Sequence, residues 1–477
     1  MSETQKAIVW FRQDLRVGDN PALHAAARSG ASILPVFVHD DEDAGEWAPG
    51  SASRWWLRKS LSELNASLDG ALHILRGPAA KIIVQLVKDV DASAVYWNRC
   101  IEPWRKARDA EIKQALLDSG VPAHTFNGSY LYDPAVVAKQ DGTPYRVFTP
   151  FYRNGCQELS PREPLPAPPD LRIDTISRLE RLDEKPLLPA FPWFESEEHG
   201  WQPGEDGARA ALSSFLESGF ENYAEDRDRP DLDAVSRLSP HLHFGEISPH
   251  QVRQAVIEHA GDPEHASADK FLSELGWREF SAHLLYHWPE LPHDNLQKKF
   301  DRFPWTDDED ARKAWQDGVT GYPIVDAGMR QLWRTGYMHN RVRMVVASFL
   351  VKNLLQDWRF GAAFFWNGLL DADLANNSAS WQWVAGSGAD AAPYFRIFNP
   401  VTQGQKFDPN GNYVRRYIPE LARMPDKFVH CPWDAPDHVL DAAGVRLGKD
   451  YPRPIVDLKE SRTRALDAYN ELTQRAS

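Results

Sequence analysis

Over the first 135 positions, apolar residues come in short unbroken runs separated by longer amphipathic stretches. "AIVWF", "SILPVFVHD", "ALHILRG" and "AVYWN" are rich in β-formers and apolar on both faces, as strands buried on both sides of a parallel sheet must be. Between them, "NPALHAAARSG", "ASRWWLRKSLSELNASL" and "RKARDAEIKQALLDSG" carry helical periodicity, the last running to a glycine at its C-cap. This alternation predicts a doubly wound α/β parallel-sheet N-terminal domain over residues 1–135, with helices on both faces. No G-x-G-x-x-G follows the first run, so ordinary dinucleotide binding has no support there.

Residues 136–204 read as a long connector. The proline density of "LSPREPLPAPPDLRIDTISRLERLDEKPLLPAFPWFESEEHGWQPGE" excludes a continuous helix or a central strand. Its spaced Leu, Phe and Trp suit a segment draped over a surface. From 205 to 477 helical periodicity dominates, in "GARAALSSFLESGF", "SPHQVRQAVIEHA", "ADKFLSELGWREFSAHLLYH", "YPIVDAGMRQLWRTGY" and "NRVRMVVASFLVKNLL". No strand-rich section interrupts it, which predicts an all-α C-terminal domain.

Length and composition narrow the function classes. The 477 residues are 42% hydrophobic and 26% charged, enough for two cores, with no apolar run long enough to cross a bilayer. The start "MSETQKAIVWFRQDLR" lacks the basic head and apolar middle of a secretory leader, which points to the cytoplasm. Three scattered cysteines, Cys100, Cys156 and Cys431, fit neither a disulfide framework nor a four-thiolate cluster, and no metal is expected. A net charge of −14 argues, taken alone, against a nucleic-acid partner. Binding needs only a local basic surface, however, and several arginines fall among aromatic motifs. The surplus lies in the 18 tryptophans, many of them after residue 270 and close to acids and amides.

The densest such stretch is "DADLANNSASWQWVAGSGADAAPYF", Asp371 to Phe395. Two acids, paired asparagines, a Trp-Gln-Trp triplet and a run of small residues make poor core. They suit a backbone lying close to something flat that the chain does not itself supply. In "SELGWREF", Glu274, Trp277 and Arg278 share one helix face, and in "MHNRVRMVV" Asn340, Arg343 and Met344 repeat that spacing. The plain alternative for the first set is a surface Glu274–Arg278 ion pair. Two such mixed faces together favour a lined pocket, because buried polar groups need partners. "SRLSP", Ser236 to Pro240, could hold phosphate through its amides, or simply cap the next helix. "NYAEDRDRP" offers Tyr223, Arg227 and Arg229 as phosphate or base contacts, or as a solvated loop.

On these motifs the chain resembles the DNA photolyases of the photolyase/cryptochrome family, most closely the bacterial cyclobutane pyrimidine dimer enzymes. The resemblance runs from "VWFRQDLRVGDNPAL" to "YPRPIVDLKESRTRALDAY" and is most specific in "GYPIVDAGMRQL", "GYMHNRVRMVVASFLVKNLLQDWR" and the Asp371–Phe395 stretch. It implies an α/β antenna domain, a long connector and a helical FAD-binding domain. It also implies that Asp371 and Asp373 line the flavin, that Asn377 faces its N5, and that Arg343 pairs with Asp371. Tyr223 and the turn Val235, Ser236, Arg237, Leu238, Ser239 should hold the phosphates and ribityl chain, with Arg278 as a further cofactor contact.

The implied reaction is light-driven repair of cyclobutane pyrimidine dimers in DNA by a monomeric lyase. The lesion is flipped out of the duplex to reach the flavin. Trp277 and Trp383 would stack its pyrimidines, Glu274 and Asn340 hydrogen-bond their edges, and Met344 give an apolar contact. Arg227, Arg343 and Gln403 would meet the DNA. Trp381, Trp358 and Trp305 would relay electrons to oxidised flavin. Enzymes for the (6-4) photoproduct carry histidines at the places of Asn340 and Met344, so the cyclobutane dimer is favoured. "IEPWRKARD", with Trp104 and Arg105, stands where folate-binding relatives have an Asn-Glu pair. Methenyltetrahydrofolate held differently, a deazaflavin, or no antenna all stay open. The rival function is a cryptochrome photoreceptor. Asn377, where plant cryptochromes tend to carry Asp, and the chain's end soon after Tyr469 favour repair.

Overall fold

The computed structural model of the protein describes residues 5–156, 159–174, 200–262, 265–394 and 396–474. The apolar runs form five parallel strands: β1 (Lys6–Phe11), β2 (Ser32–His39), β3 (His73–Arg76), β4 (Ala92–Asn98) and β5 (Ala123–Phe126). They pair in the order β3-β2-β1-β4-β5. The intervening helices are α1 (Pro21–Arg28), α2 (Ser51–Ser67), α3 (Ala79–Val90) and α4 (Pro103–Asp118). α1 starts where its sequence says it should: Asn20 Oδ1 accepts from the Leu23 amide at 3.1 Å, and Pro21 opens the first turn.

Alternation along β1 divides the core. Ala7, Val9 and Phe11 pack with Trp56, Leu61 and Leu64 of α2 on one face. Ile8 and Trp10 pack with Ile83 and Val87 of α3 and Ile112 and Leu116 of α4 on the other. The described start of the proline-rich connector lies on this domain. Arg162 pairs with the buried Asp19 at 2.5 Å, and Ile33 donates its amide to Arg172 O at 2.7 Å. Residues 175–199 of that connector lie outside the described residues.

Thereafter the chain is helical: α5 (Phe148–Pro150), α6 (Glu205–Ser218), α7 (Tyr223–Asp226), α8 (Ser239–Phe244), α9 (Pro249–Ala260) and α10 (Ala266–His287). Next come α11 (Glu309–Gln316), α12 (Pro323–Thr335), α13 (Asn340–Ser348), α14 (Trp358–Gly368) and α15 (Leu374–Ala385). α16 (Pro400–Phe407), α17 (Asn412–Tyr417), α18 (Asp437–Ala443) and α19 (Leu458–Gln474) complete it. The described residues fall into two compact units. One holds those within 1–221, 236–289 and 370–375; the other holds those within 222–235, 290–369 and 376–477. Helices α8, α9 and α10 thus share a unit with the sheet.

In the second unit the "GYPIVDAG" motif proves architectural. The buried Asp326 carboxylate accepts from the Thr320 amide at 2.7 Å, the Gly321 amide at 3.0 Å and Tyr451 Oη at 2.6 Å. Thus Asp326 ties the α12 entry to the C-terminal segment. No helix of the described residues is long and apolar enough to span a membrane.

Candidate functional site

In the sheet-containing unit, α10 carries Glu274, Trp277 and Arg278, all half-buried. Glu274 pairs with Lys270 one turn earlier, at 3.2 Å, rather than with Arg278 as the bare spacing allowed. Arg278 is used elsewhere. It donates to Ser129 O at 2.9 Å and Leu242 O at 3.4 Å, and its guanidinium covers the Tyr130 ring at 4.8 Å. Its neighbour Glu279 is buried, accepts from the Tyr132 amide at 3.2 Å, and has its carboxyl pushed up to about 7 by burial. α10 is therefore pinned to the loop after β5.

The Val235–Ser239 turn is strained in a useful way. Arg237 has φ +53°, a left-handed conformation that non-glycine residues seldom adopt. Its guanidinium lies 3.9 Å from the centre of the Trp201 ring. Beneath the turn, the buried Glu246 accepts from Trp56 Nε1 at 2.9 Å and meets His241 Nδ1, joining α2 to α8. On the same helix His243 Nδ1 is buried without a hydrogen-bond partner and lies 3.7 Å from Asp373. Asp371 is buried and Asp373 half-buried. A left-handed turn of amides and hydroxyls, two acids and an orphaned imidazole form a donor and acceptor set that fits a phosphate-bearing, hydrogen-bonding cofactor. Sequence reasoning missed His243; "SPHLHF" contains it but gives no spacing cue.

In the second unit, "NYAEDRDRP" meets α13. Asp228 pairs with Arg341 at 2.5 Å, and Arg227 lies 5.6 Å from the centre of the buried Tyr223 ring. Arg341 also covers Phe407 of α16 at 4.4 Å, on the helix that bears Gln403. Arg343 donates Nε to Met338 O at 2.7 Å. Asn340 is exposed, and Met344 and Gln403 are half-buried. Arg341 was not singled out from the sequence, although "NRVRM" displays it.

On α15, Asn377 donates Nδ2 to Ala362 O of α14 at 2.9 Å, which fixes its amide. Trp383 is half-buried. Trp381 is buried against Phe365, with ring centres 5.1 Å apart, and against Trp315 at 6.3 Å. A side chain at Gly361 would run into the Trp381 ring, so glycine permits this approach. Trp358 is fully buried and donates Nε1 to Asn295 Oδ1 at 2.9 Å; Trp305 is half-exposed beside Phe303 at 4.3 Å. Among the described residues these three indoles make no direct ring contact with one another.

The carboxyl ends of β1 and β4 form a topological switch point, where open α/β sheets bind ligands. Arg12 and Arg108 lie 4.7 and 4.8 Å from the centre of the Trp10 ring, and Arg105 lies 4.8 Å from that of Trp104. Trp10 Nε1, Arg12 Nη2, Glu102 Oε2 and Arg105 Nε are buried there without hydrogen-bond partners.

Comparison with known proteins gives these sites their context. The family model of DNA photolyase matches residues 7–170, and that of the FAD-binding domain of DNA photolyase matches 271–471. The chain belongs to the photolyase/cryptochrome family. It is 47% identical to a deoxyribodipyrimidine photo-lyase of Agrobacterium fabrum, covering 98% of both chains. It is 39% identical to cryptochrome-1 of Arabidopsis thaliana, covering 98% of this chain and 70% of that one. A crystal structure of a bacterial class III photolyase from Agrobacterium tumefaciens superimposes with a TM-score of 0.95 at 46% identity, over 99% of both chains. The α/β sheet domain and the helical FAD-binding domain expected from the sequence are those of this family, and the enzyme class is that of the photo-lyases.

Proposed function

We propose that this photolyase repairs cyclobutane pyrimidine dimers rather than (6-4) photoproducts or a signalling partner's state. The observation that carries the choice of lesion is the exposed turn of α13. It presents Asn340 and Met344, neither able to transfer a proton. The imidazole of that stretch, His339, is buried and caps α13 by accepting the Arg341 amide on Nδ1 at 3.2 Å. Burial pushes it down to about 4, so it is neutral at the pH of the cell. Bound and reduced, FAD would supply the light-driven electron-transfer chemistry of the repair.

The chain's own residues hold the lesion and the cofactor. Trp277 and Trp383 give stacking surfaces, Glu274 and Asn340 hydrogen-bond the pyrimidine edges, and Met344 adds an apolar contact. Arg227, Arg343 and Gln403, with Arg341, meet the DNA backbone. Asp371, Asp373, Asn377, Arg278, Tyr223 and the Val235–Ser239 turn hold the cofactor. Trp381, Trp358 and Trp305 carry electrons inward when it is oxidised. The arginine- and indole-rich cluster at the ends of β1 and β4 offers contacts to an aromatic, anionic antenna such as methenyltetrahydrofolate. The protein works as a cytoplasmic monomer.

Glu274→Ala tests the lesion assignment. Repair per absorbed photon should fall while FAD content stays normal, because a hydrogen-bond partner of the dimer is gone. An unchanged quantum yield would return Glu274 to its surface pair with Lys270. The cryptochrome reading would gain if irradiated protein changed its partners while leaving dimers intact.

A further inference from the structure

Trp277 does not stand alone. Its ring lies flat on Phe148, with centres 3.8 Å apart and planes 10° from parallel. Phe148 in turn stacks on Tyr152 at 5.5 Å and 9°. Phe280, one turn along α10, closes against both Trp277 and Phe148 edge-on, at 5.9 and 6.0 Å. The stack is built in from behind as well. A Cβ on Gly276 would lie 2.6 Å from the Tyr152 ring, so the residue before Trp277 must be glycine for Tyr152 to reach α10. Arg153, beside Tyr152, pairs with Asp269 of α10 at 3.2 Å.

An indole has two faces, and Phe148 occupies one of them. With Phe148 flat on one face and Phe280 at its edge, Trp277 is half-buried. A half-exposed indole on a helix otherwise samples several rotamers, and ordering it on binding costs affinity. We propose that Phe148 is a positioning residue. It holds the Trp277 indole as a one-sided plate, so that a flipped pyrimidine stacks on a surface already in place. This rests on the reading of Trp277 as a lesion-stacking residue.

The test measures binding of an oligonucleotide with one thymine cyclobutane dimer, and of its undamaged counterpart, in the dark with FAD-loaded protein. Phe148→Leu should weaken dimer binding about three- to tenfold, a part of what one aromatic stack contributes, and leave undamaged DNA unaffected. Phe148→Tyr, which keeps the flat ring, should bind as the parent does. In the Trp277→Ala background, Phe148→Leu should add nothing further. Should the Leu variant not fold, Phe148→Met fills the volume without a plate and takes its place. Weakened dimer binding by Trp277→Ala but parental binding by Phe148→Leu would overturn the positioning role alone. Equal loss for damaged and undamaged DNA would overturn it too, as a general fold defect. Parental dimer binding by Trp277→Ala would instead sink the lesion-stacking role on which the proposal rests.

Discussion

The substitution Glu279→Gln isolates an electrostatic cost that the structure places inside α10. Glu279 is buried, and its carboxyl is pushed from 4.5 up to about 7 by burial, against the opposing pull of Arg278 and of the Tyr132 and Leu131 amides. A folded-state value above the unfolded one means that the native protein binds this proton more tightly. The contribution is therefore fully present below about pH 4.5 and lost as pH rises through about 7. At about 1.4 kcal/mol for each pH unit between the two values, ionising Glu279 costs about 3 kcal/mol. Glutamine is neutral at every pH but its amide nitrogen cannot accept, so the variant loses one hydrogen bond, about 1 kcal/mol. Urea denaturation of both FAD-loaded proteins between about pH 5 and about pH 8.5 measures the difference, and the other titrating groups cancel. The two should be about equally stable near pH 5, where the unfolded carboxyl is already mostly ionised, and the variant should be the more stable by about 2 kcal/mol near pH 8.5. A difference that stays constant across the range would refute the assignment of the raised value to Glu279.

In Trp381→Phe, light should no longer reduce oxidised FAD efficiently, whereas protein reduced chemically beforehand should still repair dimers; normal photoreduction would remove Trp381 from the relay. Gly361→Ala places a methyl against the Trp381 ring and should destabilise the protein by about 1–3 kcal/mol, read as a lower melting temperature. A variant as stable as the parent would show that α14 and α15 can part without cost. Arg227→Ala should weaken binding to damaged DNA and reduce the slope of log affinity against log salt by about one; an unaltered slope would place Arg227 off the DNA.

Much of this molecule is written in its sequence, and what is not has physical reasons. β1, β2 and β4 are legible because strands covered on both faces must be apolar throughout. β5, "AHTF", escapes because an edge strand of four residues with His and Thr has no such pattern. α3 escapes because Lys81 to Val84, "KIIV", looks as much like a strand as a helix. Helical periodicity identifies α9 and α10 but cannot say that they fold with the sheet, since amphipathicity names a buried face and not its neighbour. The same limit applies to the site. Spacing put Glu274 and Arg278 on one face, yet Arg278 turns to the carbonyls of Ser129 and Leu242, which no local pattern announces. Phe148 lies more than a hundred residues from Trp277, so their stack is visible only in three dimensions. The "GYPIVDAG" motif, by contrast, is legible outright, because a buried carboxylate and its donors constrain residue type position by position.

Lesion choice and light dependence are read together by illuminating the reduced, FAD-loaded protein with blue light in the presence of DNA carrying a defined lesion. Restored pyrimidines are then counted by chromatography. A thymine cyclobutane dimer should be converted to two thymines in the light and not in the dark, while a (6-4) photoproduct in the same sequence is untouched. Dimers that survive illumination, or (6-4) lesions repaired as readily, would contradict the proposed function.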